Sequence, residues 1–142
     1  MLIKRLERLA EIVEKKREEK KNELTKIEEL LKSVENDIEQ TKNEYEKSYQ
    51  RLLYGPVTGS DFYAIKDYLS YLRERENLLL QKKHELTTKA AKLKDELVSL
   101  HKECKKLEIL IEKAISNKRK HELRLIQKRI DEIALRSKVS SD

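Results

Sequence analysis

The sequence has very few of the residues that interrupt a helix or cross-link a chain. Its 142 residues include two glycines, one proline, one cysteine and no tryptophan. Charged residues make up 42% of the chain and apolar residues only 37%, which argues against a compact globular core. This composition is typical of long helices and coiled coils, whose apolar residues form a narrow seam. Disorder is the competing interpretation of so polar a chain.

The single cysteine, Cys104, excludes an intrachain disulfide and suits a reducing compartment. No apolar run reaches the roughly 18 residues of a membrane-spanning helix. The amino-terminal residues also lack the continuous apolar stretch of a secretory signal. We therefore expect a cytoplasmic protein without stable membrane insertion.

The aromatic residues are confined to positions 45–71, together with the only proline and both glycines. Because Gly55, Pro56 and Gly59 are the only strong helix breakers, we predict a turn at residues 54–60. Seven aromatic side chains are more than a two-helix turn can bury, so some should be exposed and available to a partner. Packing across the turn is the alternative role. The seven are Tyr45, Tyr49, Tyr54, Phe62, Tyr63, Tyr68 and Tyr71.

After the turn, apolar residues recur at spacings of three and four or their sums. This pattern predicts a coiled-coil helix over about residues 61–138, followed by a frayed tail at 139–142. Ser60 and Asp61 are predicted to cap its start with a hydroxyl and an acid. The predicted seam comprises Phe62, Ile65, Leu69, Leu72, Leu79, Leu86, Ala90, Leu93, Leu97, Leu100, Cys104, Leu107, Ile111 and Ala114.

The first half of the chain is also helical in pattern, over about residues 2–53, but its seam looks interrupted. Residues 14–23 are all polar, which predicts weak packing or a stutter there. The two predicted pieces of seam are Leu2, Leu6, Leu9 and Val13, and then Leu24, Ile27, Leu31, Val34, Ile38, Thr41, Tyr45 and Leu52. We predict a single all-α domain, a two-helix antiparallel coiled-coil hairpin with a longer second helix, monomeric when free.

Unequal helices would leave the end of the second one uncovered. A fold point near residue 57 places residue 1 opposite residue 114, with an overhang of about 36 Å at about 1.5 Å per residue. The overhang continues the apolar spacing, and residues 113–138 carry nine basic side chains against three acidic ones. The apolar residues are Leu123, Ile126, Ile130 and Ile133, with Leu125 and Leu135 beside them.

An uncovered apolar stripe usually marks a contact with another molecule. Because the tail lacks aromatic residues that could stack on bases, an acidic-lined protein surface is favoured over nucleic acid or an anionic membrane. Self-association of two hairpins through their tails is the alternative, which would make the chain a structural adaptor.

Nothing in the sequence indicates catalysis. The spacings of His84, His101 and His121 do not converge on one helix face, and Cys104 occupies a seam position. Paired cysteines, glycine-rich phosphate loops and nucleophile–base arrangements are also missing. We expect no enzyme activity, cofactor or metal.

Two stretches of the chain resemble a known family. The chain is similar to the FliJ-type stalk protein of the flagellar type III export apparatus and to its injectisome counterpart, the YscO-type protein. Residues 127–136, QKRIDEIALR, are similar to the closing signature of that family. A second match has Asn43-Glu44-Tyr45 before the turn and Tyr68-Leu69 with Leu72 after it. The run Arg73-Glu74-Arg75-Glu76 departs from flagellar members, and the opening Leu2-Ile3-Lys4-Arg5 is closer to injectisome members, so the system stays open.

The resemblance implies a function as a central stalk. A bacterial, cytoplasmic protein peripheral to the inner-membrane apparatus would insert its helix termini into the hexameric export ATPase and stimulate hydrolysis. Its turn would contact the cytoplasmic domain of the export gate, and some family members bind export chaperones. Gln127, Lys128, Asp131, Glu132, Ala134 and Arg136 carry over to the ring contact, joining Leu123, Ile126, Ile130 and Ile133. Tyr45, Tyr68 and Leu72 carry over to the gate contact, joining Tyr49, Tyr54 and Phe62.

Overall fold

Two packed helices make up nearly all of the chain that the structure describes. The computed structural model describes residues 1–55 and 58–141, and within them contains α1 at Leu2–Tyr54 and α2 at Gly59–Ser141. In the part of the chain around the turn, residue numbers rise along one helix as they fall along its neighbour, because Tyr68 contacts Glu44 whereas Glu96 contacts Lys20. The helices are therefore antiparallel. The predicted all-α hairpin with a longer second helix is confirmed.

The start of α2 is capped by Thr58 rather than by Ser60. The Thr58 hydroxyl accepts a hydrogen bond from the Asp61 backbone N–H at 3.3 Å, and its carbonyl accepts one from the Phe62 N–H at 2.9 Å. A capping oxygen binds an N–H two or three residues ahead, which places Asp61 in the first turn beside the positive helix end. Pro56 and Val57 of the predicted turn lie outside the described residues.

Gly55 ends α1 where a side chain would collide with the helix. Its N–H donates to the Arg51 carbonyl at 3.0 Å, and an added Cβ would lie 2.7 Å from that same oxygen. At its far end α2 continues to Ser141, three residues past the expected end at 138. No glycine or proline interrupts this stretch, and Lys138 in the last turn favours the negative helix end.

Contacts divide the chain into two compact units. The turn unit is Glu19–Leu97, and the terminal unit is Met1–Glu18 with Val98–Asp142. In the turn unit, Val34, Ile38 and Leu86 form the core cluster, with Ile27, Leu31 and Leu79 packed against it. Thr41 is 5% exposed, and its hydroxyl donates to the Asp37 carbonyl at 2.7 Å, so this buried polar group is paired.

The three-and-four spacing of α1 runs through residues 14–23 without a stutter, although no side chain in that stretch is fully buried. Arg17 and Lys20 occupy seam positions as partly buried side chains, because their long stems pack while their charges are paired. Lys20 Nζ lies 3.1 Å from Glu96 Oε2, and this close contact with the carboxylate raises the pKa of Lys20 above its ordinary value. The seam is Ile3, Leu6, Ala10, Val13, Arg17, Lys20, Leu24, Ile27, Leu31, Val34, Ile38, Thr41, Tyr45, Ser48 and Leu52.

Three predicted seam residues lie outside the packed interface. Leu2 is 64% exposed and Leu9 is 50% exposed, while Ile3 and Ala10 take their places. Spacings of three and four counted back from Val13 lead to Ala10, Leu6 and Ile3, which explains the shift. Phe62, the first predicted seam residue of α2, is 43% exposed.

A polar cluster adjoins the seam of the terminal unit. Arg17 lies 2.8 Å from Glu14 Oε1, and the Cys104 thiol donates to Glu14 Oε2 at 3.7 Å. A second Arg17 nitrogen lies 3.5 Å from His101 Nδ1. Burial, together with the negative charge of Glu14, raises the pKa of the Cys104 thiol above its ordinary value. The neutral form of Cys104 is favoured, as suits a seam residue.

Candidate protein-binding surfaces

The tail, defined as residues 119–139 of α2, extends beyond the end of α1. The first residues of α1 lie beside Ala114, Asn117 and Lys118 of α2, where they line a shared groove. From position 115 to position 139 every side chain is exposed. The tail is therefore a single helix without a covering partner in this chain.

The tail has apolar side chains on two faces. The outer stripe is Leu123, Ile126, Ile130 and Ile133, which are 53–65% exposed. The second face is Leu125, Leu135 and Val139, which are 52–74% exposed and continue the three-and-four spacing of the α2 seam. At about 100° per residue, the centres of the two faces lie roughly 160° apart.

Sequence reasoning found the outer stripe but did not recognise the second face. Leu125 and Leu135 were placed beside the stripe rather than on the opposite side of the helix. The seam positions of α2 continue from Ala114 to Lys118, four residues later, and from Lys118 to Leu125, seven residues later. Extending the heptad pattern in this way would have revealed the second face.

The motif residues of the tail all lie on the surface. They are Gln127, Lys128, Asp131, Glu132, Ala134 and Arg136. The Gln127 side-chain amide donates to Asp131 Oδ1 at 3.1 Å, which fixes these two residues relative to each other along the helix. By helical position Ala134 adjoins the outer stripe, whereas Lys128 and Glu132 lie on the second face.

Near the turn, two of the predicted contact residues connect the helices. Tyr45 is partly buried, stacks on Tyr49 with ring centroids 6.3 Å apart, and has the Arg73 guanidinium 5.5 Å from its ring centre. The Tyr68 hydroxyl donates a hydrogen bond to the Glu44 carboxylate, which raises the pKa of Tyr68 above its ordinary value. These contacts fix the pairing of the helices close to the turn.

The other aromatic side chains of the turn unit are largely free of the packed seam. Tyr54 is 85% exposed, Tyr49 46% and Phe62 43%, and Tyr63 and Tyr71 are also exposed. Such a concentration of exposed rings on one short section of a helix pair is typical of a binding surface.

Leu72 does not belong to this surface. It is 3% exposed and lies in the seam after Leu69, so its side chain faces α1. The resemblance assigned Leu72 to a gate contact by residue type, whereas the register of α2 turns it inward. We therefore leave it out of the proposed contact.

Within residues 1–55 and 58–141 no group of three or more His, Cys, Asp or Glu side chains could hold a metal ion. Over the same ranges, neither helix includes a stretch apolar enough to cross a membrane. The candidate sites that the structure offers are the exposed surfaces of its two helices.

No curated protein and no solved structure matches the chain. The family model described as flagellar FliJ protein matches residues 3–140, which include both helices and almost the whole tail. The chain therefore belongs to the flagellar FliJ protein family, whose members are structural stalk components of the flagellar export apparatus.

Proposed function

We propose that the tail is the site through which this stalk component binds and stimulates the hexameric export ATPase. The observation that carries the proposal is the exposure of apolar side chains on two opposite faces of one helix. A flat partner surface covers only one face of a helix. A ring of subunits around the tail contacts both.

The chemistry of the tail fits an acidic-lined channel. Burial of the isoleucines and leucines would supply affinity, at roughly 1.5–3 kcal/mol for each side chain fully removed from water. The excess of basic residues over positions 113–138 would favour a negatively charged lining and speed association. The chain needs no catalytic group, because binding the assembled ring better than free subunits shifts the equilibrium toward the active hexamer.

Steady-state ATP hydrolysis by the cognate export ATPase, titrated with this chain, tests the proposal. We expect a saturable increase in rate. An unchanged rate over the whole titration would refute it. The molar mass of the free chain, measured at the same concentrations, tests the adaptor alternative, because a stable dimer would occupy the tail.

We propose further that the exposed aromatic residues near the turn contact the cytoplasmic domain of the export gate, so that the chain links the ATPase to the gate. Tyr49, Tyr54 and Phe62 would make the contact, while Tyr45 and Tyr68 hold the two helices in position. Export chaperones, which the resemblance also implies, are a proposed partner without an assigned surface.

Removing two of the exposed rings should weaken gate binding. With Tyr54→Ala and Phe62→Ala combined, we expect an affinity lower by about 30- to 700-fold, since aromatic side chains at the centre of an interface are each worth about 1–2 kcal/mol and every 1.4 kcal/mol is tenfold. Calorimetric titration with the gate domain measures this. Leu30→Ala, at a 50% exposed leucine of the same unit, is the control. Equal affinities for the double variant and the control would contradict the assignment.

A further inference from the structure

The two sides of the helix pair in the terminal unit differ in chemistry. Consider the residue that comes immediately before every second seam residue of a helix. In an antiparallel pair, these residues of the two helices lie on the same side of the pair. The turn unit shows this directly, because Glu44 precedes Tyr45, Tyr68 precedes Leu69, and the two are hydrogen-bonded. Where the two helices of the terminal unit pair, three of the six equivalent positions are leucines, and the other three are Lys16, Glu103 and Asn117.

We call this side the leucine flank. Leu2, Leu9 and Leu110 immediately precede the seam residues Ile3, Ala10 and Ile111. Three of the four apolar members come from α1 and one from α2, and they are 48–64% exposed. The full set is Leu2, Arg5, Leu9, Ile12 and Lys16 of α1, with Ser99, Glu103, Lys106, Leu110, Lys113 and Asn117 of α2.

Charges separate sharply between this flank and the opposite one. The leucine flank has four basic residues and one acidic residue. The opposite flank has six glutamates and two lysines, and it includes the contacts of Glu14 with Cys104 and of Arg17 with His101. Its members are Lys4, Glu7, Glu11, Glu14 and Glu18 of α1, with Val98, His101, Lys105, Glu108, Glu112 and Ile115 of α2.

We propose that the leucine flank binds an acidic amphipathic helix of a partner protein, which packs as a third helix against α1 and α2. The groove between two packed helices accepts the ridge of another helix, and exposed leucines match its apolar stripe. Arg5, Lys106 and Lys113 belong to the same flank as the leucines. There they would pair with acidic side chains that border the apolar stripe of the partner helix. The glutamate-rich flank repels the same helix, so charge selects the side.

This site is separate from the proposed ATPase contact, because it includes no residue of the tail. Its four aliphatic side chains, each about half exposed, form a patch smaller than a standard stable interface. The affinity should accordingly be modest, with a dissociation constant on the order of micromolar.

Two synthetic helices of about four heptads test the proposal on the full chain. Both have leucines at their seam positions, and one has glutamates and the other lysines at the flanking positions. Amide chemical shifts of the ¹⁵N-labelled chain report where each peptide binds. We expect the glutamate peptide to shift the signals of Leu2, Leu9 and Leu110, and the lysine peptide to bind at least tenfold more weakly.

Variants of the flank decide the outcome. Leu9→Glu with Leu110→Glu should weaken binding of the glutamate peptide at least tenfold. Arg5→Glu with Lys113→Glu lies outside the seam and should reverse the preference between the peptides, so the test stays decisive even if the first pair disturbs folding. Ile126→Glu with Ile130→Glu should leave peptide binding at the flank unchanged, as read from the Leu9 and Leu110 signals, whatever it does to ATPase stimulation.

Three results would overturn the proposal. The first is equal affinity for the two peptides, and the second is a set of shift changes confined to the tail or to the glutamate-rich flank. The third is loss of the Leu2, Leu9 and Leu110 signals on phosphatidylglycerol vesicles while neither peptide binds, which would assign the flank to an anionic membrane surface.

Discussion

With Ile126→Glu and Ile130→Glu combined, at least about 100-fold more chain should be needed for half-maximal stimulation of the export ATPase. Each isoleucine contributes roughly 1.5–3 kcal/mol when fully buried by a partner, and every 1.4 kcal/mol is tenfold in affinity. The two added negative charges would also oppose an acidic lining. Titrating hydrolysis rate against chain concentration measures the shift.

The same substitutions should leave the folded chain intact. Both isoleucines are more than half exposed and lie beyond the end of α1, so no contact with α1 is lost. Thr87→Glu with Thr88→Glu is the matched control, because it adds the same charge at exposed positions of α2 in the turn unit. Equal stimulation by the control and by the isoleucine variant would remove the tail from the ATPase contact.

The second apolar face sharpens this experiment. Leu125→Glu with Leu135→Glu changes the opposite side of the tail, and a surrounding partner predicts a loss of similar size. A partner that docks on the outer stripe alone predicts almost no loss. Comparing the two double variants therefore distinguishes a ring around the helix from a one-sided contact.

Leu72→Ala should lower the free energy of unfolding by about 2–4 kcal/mol, because truncating a buried leucine removes its packing and leaves a cavity. Leu72 is 3% exposed in a seam that has few other fully packed side chains. Leu78→Ala makes the same chemical change six residues later, at a leucine that is 67% exposed, and should cost less than about 0.5 kcal/mol.

Urea denaturation followed by circular dichroism measures both values. Both variants replace a leucine by an alanine, and both residues are good helix formers. A difference between the two unfolding free energies therefore reports burial rather than helix propensity. Similar losses at the two positions would mean that the seam assigned to α2 is wrong.

The register of α2 and of α1 from Leu24 onward could be predicted from the sequence, whereas that of the first turns of α1 could not. In α2, leucines and alanines recur at seam positions over many turns, so one consistent spacing stands out. In α1, Leu2, Leu6, Leu9 and Val13 satisfy the same rule as the true seam. The seam residues Arg17 and Lys20 are charged, and only their neighbours on α2 show that they pack.

The candidate sites were predictable to different degrees. The uncovered tail followed from the position of the turn, which the glycines and the proline indicate. The buried state of Leu72 was also implied by the predicted seam, but its residue type matched a surface motif and the two predictions conflicted. The choice between Thr58 and Ser60 as the cap depends on backbone direction, since both residues offer a hydroxyl group.

The antiparallel arrangement of α1 and α2 has a consequence for the order in which the chain folds. Tyr68 and Glu44 are 24 residues apart in sequence, whereas Cys104 and Glu14 are 90 apart. Closing the longer loop costs about 1 kcal/mol more in entropy, so the helices should join near the turn and then zip toward the termini. Pulsed hydrogen exchange during refolding should show the turn unit protected first. During synthesis, the leucine flank would stay incomplete until the ribosome has passed residue 113.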